Sequence, residues 1–163
     1  MISAAALAEA YNRNVVIVHR ECEGLTHEES LLQPQLRGNC MNWVVGHMLT
    51  GRNDILRALN APFLVNEAEL AHYKRESDPI IGDGDHVLPL ERLLALLTEG
   101  QAHIKELMTP LTDEDGTREV IFGITGRAMP LSKLAFFLYF HDCYHVGQTS
   151  FLRQLAGKDD KII

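Results

Sequence analysis

Residues 130–157 read PLSKLAFFLYFHDCYHVGQTSFLRQLAG. Along this stretch Leu134, Leu138, His141, His145, Gln148, Leu152 and Leu155 recur at intervals of three and four, the spacing of one face of a helix. Pro130 suits a first helical turn and Gly157 a helix end. Such a helix of about 26 residues is roughly 39 Å long at about 1.5 Å per residue. Three consecutive positions in the middle of its buried face are polar. A helix that breaks its own apolar pattern at one place marks that place as a candidate for function.

Three further stretches carry the same period. Ser3 to Glu23, with Ser3 as N-cap and Gly24 as stop, places Ala4, Leu7, Tyr11, Val15, Val18 and Cys22 on one stripe. Cys40 to Asn60, with Asn39 as its expected cap, places Val44, Met48, Gly51, Ile55 and Leu59 together, and Asn60 with Pro62 ends it. The third runs from Pro89 to Pro110 with Leu90, Leu94, Leu97, Ile104 and Met108 on its stripe. Residues 61–88 form a long crossover between the second and third helices. Residues 111–129 hold Val120-Ile121-Phe122 before Gly123 and Gly126, the pattern of a small β-hairpin before the fourth helix. The expectation is an all-α four-helix bundle forming one domain over residues 1–163.

Composition narrows the function. The chain has 163 residues, 46% of them apolar and 23% charged, as a globular protein requires. Its formal charge of −7 argues against a nucleic-acid partner, which needs a basic face. The longest apolar run, Leu134 to Phe140, is far short of the roughly 18 residues that span a bilayer, so no membrane partner is expected. The segment from Ala4 to Ala8 has no basic leader and is interrupted by Glu9, which argues against a secretory signal. Three cysteines, Cys22, Cys40 and Cys143, with no Cys-x-x-Cys pair, point to a reducing, cytoplasmic compartment.

The eight histidines carry the chemistry. His141 and His145 are four residues apart on the buried stripe, and two imidazoles at that spacing can share one divalent metal. Gly147 follows them. The Trp43-Val44-Val45-Gly46-His47 segment of the second helix also sets a glycine beside a histidine, and glycines on both helices would let the backbones approach. Gln148, at i+3 from His145, reaches towards the same cavity. Tyr11, Asn14 and Gln101 are further candidates to line it. Cys143 points away from His141 on a helical wheel, Asp142 is solvated or bonded to a neighbouring helix, and Asp54, at i+7 from His47, reads as a surface carboxylate or as a group that supports the ligands from behind. His19, His27, His72, His86 and His103 share no common apolar face and read as surface residues.

The segments WVVGH and HDCYHVGQ, with Leu152-Arg153 and Gly157 beyond them, resemble the DinB-like (DinB/YfiT) superfamily of metal-binding four-helix bundles. The resemblance extends over nearly the whole chain in helix order and spacing. It implies His47, His141 and His145 as ligands of one divalent metal, and a homodimer. It also implies a choice of chemistries, since branches of the family are thiol S-transferases or maleylpyruvate isomerases. Three neutral imidazoles suit zinc or nickel and leave an open coordination position. The expected function is therefore a metal-dependent enzyme acting on a small molecule, either a transferase using a low-molecular-weight thiol as co-substrate or a hydrolase or isomerase. The alternative is a non-catalytic stress-response protein that binds a metal or small molecule.

Overall fold

The computed structural model describes residues 2–35 and 38–162. Four long helices build the fold: α1 (Ala4–Cys22), α3 (Met41–Ala58), α4 (Leu90–Met108) and α6 (Leu131–Leu155). Two short helices, α2 (His27–Ser30) and α5 (Asp113–Thr117), each begin with a threonine capping box, at Thr26 and Thr112. A single 3₁₀ turn covers Ala71–Tyr73. Strands β1 (Glu119–Phe122) and β2 (Arg127–Pro130) pair antiparallel, with Val120 opposite Met129. Among the described residues no helix is long and apolar enough to cross a membrane.

Each long helix packs on two others. α1 and α3 both contact α4 and α6, so α1 lies diagonally across the bundle from α3. Ser3 caps α1 as expected, accepting from the Ala6 amide. Asn39 does not cap α3: Cys40 holds that position, and it makes no side-chain cap bond. Pro89 and Pro130 are likewise the caps of α4 and α6 rather than their first turns. Leu94 is only half-buried because Leu93 takes its place in the core, and Leu155 is 36% exposed. α3 is buried almost all round, since the chain from 61 to 88 covers the side that the bundle leaves open.

Two apolar clusters fill the bundle, one around Val18, Met48 and Leu93 and one around Leu7, Ile55 and Leu134. Between them runs a buried polar layer. The Arg52 guanidinium donates to Asp142 Oδ2 at 2.6 Å and to Gln101 Oε1 at 3.2 Å, and lies 4.6 Å from the Tyr11 ring centroid. Gln101 in turn donates to the Ala8 carbonyl, and Tyr11 to the Ala135 carbonyl. The layer thus joins all four long helices. Arg153, also buried, donates to the carbonyls of Glu21 and Glu23 and closes the C-terminal end of α1.

The two glycines expected to bring helices together behave otherwise. At Gly147 an added Cβ would meet nothing within 4 Å. At Gly46 it would overlap the ring of Tyr73, so the glycine admits the 61–88 crossover and not another long helix. Tyr73 is fully buried and held at its hydroxyl, which donates to Asn42 Oδ1 and accepts from the Leu88 amide. Gly46→Ala should therefore lower stability by about 1–3 kcal/mol through overpacking, although glycine-to-alanine gains about 1 kcal/mol at an open helix site. Urea denaturation decides: a more stable variant would mean that the ring shifts at no cost.

Candidate metal centre

His47 comes from the middle of α3 and His141 and His145 from the middle of α6. One nitrogen from each lies within 4.8 Å of the other two. The Nε2 atom of His141 is 3.2 Å from Nε2 of His47 and 3.2 Å from Nε2 of His145. The Trp43 ring stacks on His47 at 4.5 Å between centroids and an interplanar angle of 14°. Its Nε1–H donates to Ser77 Oγ, which holds the indole in place.

The outer nitrogens set the tautomers. His47 Nδ1 is 2.6 Å from the Tyr73 carbonyl oxygen, which can only accept, so Nδ1 carries the proton. His145 Nδ1 donates to Gln148 Oε1 at 2.7 Å. Both Nε2 atoms are then bare lone pairs turned towards His141. A single proton on His141 Nε2 can answer one of them, and the other is left facing a nitrogen. A cation answers all three at once. Burial lowers the pKa of His47, and burial with the neighbouring imidazoles holds His141 and His145 down to about 4, so all three are neutral near pH 7, as ligands must be. The residues present therefore fit a three-nitrogen site for a divalent metal.

The cluster opens onto a cleft of about 360 Å³ lined by His47, Thr50, Asp54, Arg75 and Ile124. It continues past His141 to Phe122, Phe137 and Leu138. One wall is the β1–β2 turn, which packs so closely on α3 that a Cβ at Gly123 would overlap Arg57. A second cavity, about 370 Å³ and lined by Leu7, Ile55, Met108 and Phe136, lies towards the other end of α6 and touches none of the three histidines.

The other sequence candidates are dispersed. Gln148 is beside the imidazoles. Tyr11 and Gln101 belong to the Arg52 layer, where their polar atoms are spent on Ala135, Ala8 and Arg52. Asn14 lies against Cys143, with Asn14 Nδ2 3.4 Å from the sulfur. All three are buried on the helices that carry them, but a buried position on a helix does not say which neighbour it meets. Asp142 is bonded to a neighbouring helix, and Cys143 is not among the clustered ligand atoms. Asp54 is buried, not a surface carboxylate, because the hairpin turn and Arg57 cover it. Its burial raises its pKa, and Arg57 opposes the rise. His72 and His86 are exposed and stack on each other, while His19, His27 and His103 are half-buried, not surface residues.

Sequence reasoning missed Thr50, Tyr73 and Arg75. Thr50 was within reach, since it stands at i+3 from His47 as Asp54 stands at i+7. Tyr73 and Arg75 lie in the crossover, where no periodicity reports position.

The sequence profile of the DinB superfamily matches residues 13–149. No curated protein is similar in sequence. Among solved structures, the crystal structure of a conserved protein from Enterococcus faecalis has the same fold, with a TM-score of 0.72 at 14% identity over 96% of this chain and 98% of that one.

Proposed function

The chain belongs to the DinB superfamily, and on that premise we propose that it is a metal-dependent enzyme in which His47, His141 and His145 hold one divalent cation, zinc or nickel. The observation that carries this reading is the pair of outward Nδ1–H bonds, to Tyr73 and Gln148, which turn two bare nitrogens onto a third. A metal without such an open-sided set would be structural; three neutral nitrogens beside a cleft leave a position for a reactant. The ion supplies Lewis acidity there and lowers the pKa of a thiol or water that reaches it.

The chain's own residues divide the remaining work. Tyr73 and Gln148 fix the orientation of two imidazoles. Asp54, the buried carboxylate that lines the same cleft as His47 and His141, would take the proton released by the incoming nucleophile. Phe122, Phe137 and Ile124 present an apolar wall that excludes water from the electrophile. Arg75 lies on the same rim, and its contact with the Glu76 carboxylate, at 3.5 Å, is between two exposed side chains, which suits it to an anionic substrate group. The reaction is transfer of a low-molecular-weight thiol to an electrophile, or hydrolysis or isomerisation at the same site. Three unbridged cysteines support a cytoplasmic setting.

Cobalt substitution tests the proposal. Untagged protein should bind one cobalt per chain, and small thiols should change its visible spectrum. Stoichiometric cobalt whose spectrum responds to no thiol, hydroxide or small anion would mean a closed site, and the catalytic reading would give way to non-catalytic metal binding.

A further inference from the structure

On the reading of His47, His141 and His145 as an open metal site, we infer that the site takes a small carboxylic acid carrying one uncharged group the size of a benzene ring, the two groups diverging from the atom that reaches the ion. The cleft has two arms. One, of about 360 Å³, is lined by Arg57, Glu67 and Lys74. The other, of about 180 Å³, is lined by Phe122, Phe137 and Leu138. His47, Thr50, Asp54, Arg75 and Ile124 line both, so the arms meet at the edge of the histidine cluster.

The apolar arm is built by the protein's own packing. Phe122 is the last residue of β1, and the turn behind it is closed by the Gly126 amide, which donates to the Phe122 carbonyl at 2.8 Å. The turn is seated on α3 at Gly123, against Arg57. The Phe122 ring then meets Phe137 of α6 edge to face, with 5.6 Å between centroids and 65° between planes. Phe122 is buried, but Phe137 is 46% and Ile124 63% exposed. Large apolar side chains left in solvent at the mouth of a recess beside metal ligands are a surface for a ligand to cover. An apolar cavity of about 150 Å³ lined by Leu, Ile and Phe takes a benzene ring, which sets the size of the group that fits here. The charges lining this arm, Asp54 and Arg75, are those at its junction with the other.

The wider arm selects the sign of the second group. Its charged side chains are three basic, Arg57, Lys74 and Arg75, and two acidic, Asp54 and Glu67, in a chain of net charge −7. Both carboxylates are engaged within the arm: Arg57 bonds Asp54 at 3.0 Å and also Glu67, and Lys74 bonds Glu67 at 2.9 Å. Arg75 supplies the surplus positive charge at the junction, and a guanidinium offers a carboxylate two parallel N–H donors. The wider arm is walled by the crossover, through Glu67 and Lys74, and the apolar arm by the hairpin and α6. A ligand with its carboxylate on Arg75 and its ring beside Phe122 and Phe137 therefore straddles the histidines, and one enantiomer fits better than the other.

Four thiols that differ by one group at a time test this on the cobalt-substituted protein: ethanethiol, thiolactate, phenethyl thiol and α-mercapto-β-phenylpropionate. Their dissociation constants are read from the visible spectrum. The phenyl group should tighten binding about 10-fold or more, and the carboxylate about 3–10-fold. One enantiomer of the fourth thiol should carry both gains and the other only one. Phe137→Ala should erase most of the phenyl gain and keep the carboxylate gain, and Arg75→Gln should do the reverse. Both side chains are exposed, so the circular dichroism of the variants should be unchanged. If ethanethiol leaves the cobalt spectrum as it was, the site is closed, and the open metal site falls together with its two arms. If ethanethiol changes the spectrum but the added groups bring no gain, or the gains survive both substitutions, or the enantiomers bind alike, the metal site stands and the division of the cleft is overturned.

Discussion

Asp142→Ala should lower the stability of the protein by about 3–5 kcal/mol, the usual result of removing one partner from a buried ion pair. Arg52 is fully buried and its Nη2 is 2.6 Å from the lost carboxylate. Its guanidinium cannot discharge, so it would stay in the bundle interior with Gln101 Oε1 and the Tyr11 ring as its remaining partners. Arg52 Nε already has no partner among the described residues, which leaves little slack. Burial raises the Asp142 carboxyl to about 6 and Arg52 pulls against that rise, so the pair is charged at neutral pH. At 2–4 °C per kcal/mol for a chain of this size the melting temperature should fall by roughly 10 °C. Arg52→Met combined with Asp142→Leu should recover most of the loss, because an apolar pair costs no desolvation. A loss below about 1 kcal/mol in Asp142→Ala would show that water reaches the layer and that it does not bind the four helices together.

His145→Ala should remove most of the stabilisation that metal confers. A cation that binds only the folded chain adds about 4 kcal/mol when its free concentration is 1,000 times the dissociation constant. The melting temperature measured with and without zinc should therefore differ by roughly 10 °C in the wild type and by little in the variant. Gln148→Ala should be intermediate. It leaves all three nitrogens in place but frees the His145 ring, a change that typically costs 10–100-fold in metal affinity. Equal losses in the metal-loaded and metal-free forms of His145→Ala would mean that the ring serves packing alone.

The same histidines set a pH dependence in the metal-free protein. Their folded values, about 4 for His141 and His145, lie below the ordinary 6.5. The unfolded chain therefore binds the additional protons, and the stability associated with the neutral imidazoles is intact above pH 6.5 and is lost as the pH falls from there towards 4. Thermal melts of the metal-free protein across that window check the sign.

Local order decided much of this protein. Apolar residues at intervals of three and four specify helices wherever they occur, so all four long helices, the Ser3 cap and the hairpin before α6 were legible in the sequence. The pairing of His141 with His145 was legible for the same reason, since four residues of helix carry a side chain back to its own face. What needed the tertiary structure was every choice between neighbours. A buried stripe does not say which helix it meets, so Tyr11 and Gln101 fitted a ligand cavity as well as the Arg52 layer that holds them. Asp54 is buried and Tyr73 orients His47 because the crossover and the hairpin turn fold over α3, contacts between residues far apart in sequence that leave no period behind. The three-histidine cluster stands between these cases: two of its members follow from helical geometry, and the third arrives only because α3 packs on α6.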